Sequence, residues 1–149
     1  MSVRVDDRKY QRLVKAIRPS HVLKVGIFGD RAATEHESEG ITLGELADIH
    51  ENGRGVPRRS FLGDYVLENS DRIGKMIKVS AEQVFKGKAT QEQTLRMLGV
   101  QMVGEIQQRI ASGISPELSD ETIKRKGSSK PLIDTGQLRG AISSDVVPK

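Results

Sequence analysis

Several groups of residues have side chains that could do chemistry. Asp134-Thr135-Gly136 follows the apolar pair Leu132-Ile133, an arrangement in which an aspartate can serve peptide hydrolysis. That chemistry needs two aspartates sharing a proton across a dimer axis, with a flap and further strands after the tripeptide. Only thirteen residues follow Gly136, too few for such a scaffold. Asp134 therefore reads as a helix N-cap, and Gln137, three residues on, completes an Asp-x-x-Gln capping box. His36 lies between Glu35 and Glu37, but with no second clustered histidine and no cysteine a solvated acidic loop is the better account. His50-Glu51-Asn52 lacks a second histidine at helical spacing, so it fails the pattern of a zinc hydrolase. No acid, base and nucleophile converge along the chain. The expectation is a protein without catalytic residues, cofactor or metal.

The remaining candidates are cations. Arg54, Arg58 and Arg59 stand close together, and Lys124, Arg125, Lys126 and Lys130 form a second basic stretch containing Gly127, Ser128 and Ser129. As solvated loops they need no partner. As contacts they suit an acidic surface or a phosphate backbone.

The elements that would position these residues can be read in order. Asp6–Ile17 has Tyr10, Leu13, Val14 and Ile17 on one helical face, with acids in its first turn and Pro19 after it. His21–Gly29 reads as a strand apolar on both faces, hence central or covered by helices. Asp30–Gly40 is polar and acidic and reads as an exposed, mobile loop. Thr42 with Glu45 caps a short helix carrying Leu43, Leu46, Ala47 and Ile49, which Gly53 ends. A long helix is expected from about Asp64 to Lys86, although Asn69 and Ser70 interrupt its apolar stripe, and Gly87 ends it. Thr90 with Gln93 caps a second long helix running to Ser112, with Leu95, Leu98, Met102, Ile106 and Ile110 on one side and Gly113 after it. Its Gly99 and Gly104 each weaken it by about 1 kcal/mol relative to Ala unless a neighbour packs closely there. The short link between the two helices makes them an antiparallel hairpin. A capped turn at Ser119–Ile123 precedes the second basic stretch. Leu138, Ala141 and Ile142 form an apolar face after the Asp-Thr-Gly turn, and Ser143–Val147 reads as a short final strand paired with Val22–Phe28.

The fold class expected is α+β: a small antiparallel sheet packed against the long helix pair Asp64–Ser112 through Ile73, Ile77, Leu98, Met102 and Ile106, with exposed loops. The 149 residues suffice for one domain, 1–149. Hydrophobic residues make up 36% and aromatics 3%, so the core should be aliphatic. Absence of cysteine removes disulfides, thiolate metal sites and thiol catalysis. No run approaches the ~18 apolar residues of a membrane span, and the first ten residues have no apolar signal core. The net charge of +4 is explained by solubility alone, and aromatics for base stacking are scarce.

Two stretches together resemble a known family. Leu46–Leu62 contains Ile49, Glu51, Gly53, Pro57, Arg59, Phe61 and Leu62. Leu118–Ile142 contains Thr135, Gly136, Leu138, Arg139 and Ile142, following Asp134. These resemble the apolar-x-x-Glu-x-Gly/Pro-x-Arg-x-Phe and Thr-Gly-x-Leu-Arg motifs of the virion-morphogenesis or tail-completion proteins of tailed bacteriophages and their prophage relatives. Ala141 stands where serine is common, and the two motifs occur in the reverse of the usual order. The resemblance implies a structural virion protein without catalysis, a tail-completion or head–tail joining subunit repeated as a ring of six or twelve copies at the neck or tail top. Its implied partners are further copies of itself, the head connector or adaptor, the tail terminator and DNA passing through the neck, with no membrane. Its implied location is the virion, and the host cytoplasm during assembly. The alternative of another class is a nucleic-acid-binding accessory protein using the basic loops.

Overall fold

The computed structural model describes Arg8, Gln11, Val14 and Lys15 and residues 18–36, 40–126 and 136–149. The four isolated N-terminal residues are helical and exposed; the rest of the expected Asp6–Ile17 stripe lies outside the described residues. The architecture is α+β. Strand β1 (His21–Gly26) is followed by helices α1 (Asp30–Ala33), α2 (Leu43–Asn52), α3 (Gly63–Glu68), α4 (Ser70–Phe85), α5 (Gln91–Ser112), α6 (Asp120–Lys126) and α7 (Gln137–Ala141), and then by strand β2 (Ser143–Pro148).

β1 and β2 pair antiparallel as expected, with Leu23 opposite Val146 and Gly26 opposite Ser143. The backbone N–H of Lys149 adds a further bond to the Ser20 carbonyl at 2.9 Å. The sheet lies on α5, and α4 packs on α5 in turn. The expectation that both long helices cover the sheet is thus corrected: Ile77 of α4 is half exposed rather than core. The strand is also not covered on both sides. Its residues alternate, with His21, Leu23 and Val25 partly buried and Val22 and Lys24 exposed, the period of a sheet with one open face.

Gly99 explains how the sheet sits so close to α5. A Cβ there would meet Leu23 Cδ1 at 2.8 Å and Ser144 Oγ at 2.7 Å. The close neighbour that offsets this glycine's helix penalty is the sheet. Gly104 has nothing within 4 Å.

Two of the three expected capping boxes form. Thr42 and Glu45 cap α2, and Thr90 and Gln93 cap α5. These depend on residues three apart, so they assemble from local sequence. The expected helix over Asp64–Lys86 is broken into α3 and α4 at Asn69. The Tyr65 carbonyl accepts from both the backbone N–H and the side-chain Nδ2 of Asn69. A side chain that bonds its own local backbone competes with the helical ladder. The core joins Leu43, Leu46, Phe61, Tyr65, Leu98, Met102, Ile106, Ile110, Leu138 and Ile142. α5 supplies several of these, whereas α4 contributes no buried residue.

Three loop expectations change. Asp30–Ala33 is a helical turn, and Glu35 bridges Thr42. His36 is buried rather than solvated, its backbone N–H bonded to the Ile41 carbonyl at 2.7 Å; residues 37–39 lie outside the described set. Lys124, Arg125 and Lys126 form the last turn of α6 rather than a loop, where basic residues suit the helix dipole. The N-cap position of α7 is Gly136, with φ 78°, rather than the expected Asp134. The left-handed turn at Gly136 places the helix start two residues later, and Asp134 itself lies outside the described residues.

Candidate functional site

Glu51, in the last turn of α2, is the centre of the best-organised polar cluster. Its carboxylate accepts from Ser60 Oγ at 2.5 Å and from the backbone N–H groups of Phe61, Leu62 and Gly63 at 3.0, 3.1 and 2.7 Å. These N–H groups belong to the entry of α3, where the helix has no partners of its own to offer them. Ser60 Oγ in turn accepts from the N–H of Asp64 at 2.9 Å. One carboxylate therefore stitches the end of one helix to the beginning of the next.

The chain between them is shaped to allow it. Gly53 is left-handed at φ 70°, and a Cβ there would come within 2.9 Å of the Arg58 Cβ. The Arg59 N–H bonds the His50 carbonyl at 2.8 Å. Phe61 is 0% exposed and seats the turn in the core, while Ile49 and Leu62 are partly buried around it and Pro57 is exposed. The Arg59 side chain is buried, donating from Nε to the Pro116 carbonyl at 2.8 Å and from Nη2 to the Glu117 carbonyl at 3.3 Å. Burial lowers its pKa, but a guanidinium remains charged. It ties the segment after α5 to this joint.

The other motif comes close by. α7 packs on α2 and α5, with Leu138, Ala141 and Ile142 buried, Arg139 exposed, and the Arg139 carbonyl accepting from Gln107 at 3.2 Å. Thr135 and Lys130 lie outside the described residues.

Among the described residues, the three arginines of the first basic group are engaged within the chain. Arg54 pairs with Asp48 at 2.8 Å. Arg58 holds Asp64 through two bonds at 3.1 and 2.7 Å, which lowers the Asp64 pKa. Arg59 is buried as described. Lys124 is exposed on α6; Arg125 and Lys126 are described in backbone only.

A second polar cluster was not singled out from sequence. Arg72 of α4 forms a two-bond ion pair with Glu105 of α5, and Tyr65 donates its hydroxyl to the same carboxylate at 2.7 Å. The Arg72 hydrogen bonds, joined by those from Tyr65 and Gln101, bring Glu105 down to about 2. Burial, then the bond to Glu105, pushes Tyr65 up to about 12. The only trace in the sequence is a carboxylate within the apolar run from Met102 to Ile106. Because the folded-state pKa of Glu105 is below its usual 4.5, the stability it confers is present above that pH and lost as pH falls toward 2. Glu105→Gln is expected to flatten the acid limb of a melting-temperature profile in that window. A profile with the same acid limb as the wild type would remove Glu105 from this role.

Among the described residues, no cluster of three or more His, Asp or Glu is placed to hold a metal ion, and no helix is long and apolar enough to cross a membrane. Comparison with protein-family models, with curated proteins and with solved structures gives no match. The cluster has the chemistry of a joint: its carboxylate is saturated with donors, and its guanidinium is spent on carbonyls.

Proposed function

We propose that the protein is a structural assembly subunit, a tail-completion or head–tail joining ring component of a tailed bacteriophage or prophage particle, and that it performs no catalysis. The observation that carries this reading is the outer surface of the helix pair. Ile77, Val79 and Phe85 of α4 and Met97 and Val100 of α5 are all exposed, although large apolar residues at helical spacing ordinarily face a core. Val79 and Met97 line a groove between α4 and α5, while Ile77 lines a second cavity beside His21; exposed apolar residues along such a groove suit an interaction face. The motif residues support the same reading in another way, since Glu51, Gly53, Arg59 and Phe61 rigidify the joint that carries α3 and α4. Engagement of Arg54, Arg58 and Arg59 within the chain favours assembly over the nucleic-acid alternative.

The test is deletion of the gene from the phage or prophage that encodes it. Electron microscopy of the lysate is expected to show filled heads and tails unjoined, and supplying the protein in trans should restore joined particles. Normal particles from the deletion would end this proposal. For the alternative, DNA binding that falls steeply with salt would move the assignment to a nucleic-acid accessory protein.

A further inference from the structure

A cavity of about 280 Å³ opens between the C-terminal half of α4 and the N-terminal half of α5, beside the start of β1. Its walls include Ile77, Val84 and Leu95, with Pro19 and His21 on the β1 side. Unlike the groove around Val79 and Met97, it has a stretch of this chain fastened at its rim. Gln91, itself in the wall, grips the chain on both sides of Pro19. Its Nε2 donates to the Arg18 carbonyl at 2.7 Å, and its Oε1 accepts from the Ser20 N–H and hydroxyl, each at 3.0 Å. The residues before Pro19 therefore start from the edge of the cavity. Lys15 already borders the helix pair, lining an adjoining recess with Val84, Ala89 and Glu92.

The described residues of this segment show one side of it. Arg8, Gln11 and Lys15 are helical and exposed, and their spacing of three and four puts them on one face. The same spacing in the sequence puts Tyr10, Leu13 and Ile17 on the opposite face, and Val14, at the border between the two, is 36% exposed. We infer that the cavity is a docking site for this chain's own N-terminal segment, with Leu13 and Ile17 supplying the apolar surface that covers Ile77, Val84 and Leu95. A segment fastened at Arg18 and Ser20 meets the cavity at the high effective concentration of a short link, an advantage no separate chain has. Glu92 in the adjoining recess suits the charge of Lys15. The contact closes the end of the helix pair around Ile77 and leaves the groove around Val79 and Met97 open, so it stands apart from the assembly reading.

The chain contains no cysteine, so a single introduced thiol reports its own surroundings. Alkylation of the full chain with iodoacetamide, followed by mass spectrometry at several protein concentrations, tests the contact. Leu13→Cys and Ile17→Cys are expected to react about tenfold more slowly than Gln11→Cys. The Val84→Cys thiol should be slow in the otherwise wild-type chain and about tenfold faster once Leu13→Asp and Ile17→Asp are added. Ala141→Cys, at a core position, should stay slow in both backgrounds. Equal rates for Gln11→Cys, Leu13→Cys and Ile17→Cys would overturn the inference, as would a Val84→Cys thiol indifferent to the two aspartates. Protection of Leu13→Cys and Ile17→Cys that appears only as protein concentration rises would put a second copy in the cavity and overturn docking within the chain.

Discussion

Removal of Ser144–Lys149 is expected to abolish cooperative folding. The deletion takes all but the first residue of β2, including buried Val146. It also takes the Ser144 side chain that covers Gly99. The burial of one such valine is worth about 1.5–3 kcal/mol, and each lost strand hydrogen bond about 1 kcal/mol. A strand left without its only described partner cannot hold a sheet. The total is comparable with the roughly 5–15 kcal/mol that stabilises a domain. Circular dichroism should show helix without a sharp thermal transition. A truncated chain that melts like the full one would mean that β2 contributes nothing to the fold.

The next largest effect is expected at Glu51. Glu51→Ala leaves the Ser60 hydroxyl and the N–H groups of Phe61, Leu62 and Gly63 without their acceptor. Leaving buried donors unmade costs about 1–3 kcal/mol each, less where water reaches them, so a loss of about 3 kcal/mol is expected. Glu51→Gln should recover little, because its amide brings an N–H against N–H groups. Arg54→Ala is the control. Its ion pair with Asp48 is largely exposed and should be worth less than about 1 kcal/mol. Denaturant unfolding of the three variants decides the matter. Equal stabilities for Glu51→Ala and Arg54→Ala would show that the carboxylate does not hold the joint.

The contrast between these two residues shows what a sequence exposes. Thr42 with Glu45 and Thr90 with Gln93 were legible as caps because the bond spans three residues and depends on little else. The pairing of the two strands was legible from alternation and from the shortage of other strands. Asn69 was visible as an interruption, but whether an asparagine bends a helix or rides on its surface depends on where its amide turns. Glu51 was legible only as part of a resemblance. Its role is fixed by a hydroxyl and backbone donors nine to twelve residues away, beyond any local pattern. Arg59 looked like a surface cation because nothing nearby in sequence says that the carbonyls of Pro116 and Glu117 will meet it. The same holds for His36, which is buried within a stretch of acidic composition, and for the Arg72–Glu105 pair, whose partners lie on different helices.

The pairing of β1 with β2 also sets the order in which this chain can fold. Ser143 meets Gly26 across 117 positions, so the sheet cannot begin to form until nearly the whole described chain is available. The cost of closing a loop rises only slowly with its length, but it falls due before any strand contact is made. The helical hairpin, by contrast, needs only neighbours. In a cell, α5 would therefore leave the ribosome before Ser144 of β2 could join Leu23 over Gly99, and contacts so distant in sequence are the slow ones. That interval, rather than the finished fold, is when the protein would most depend on a chaperone.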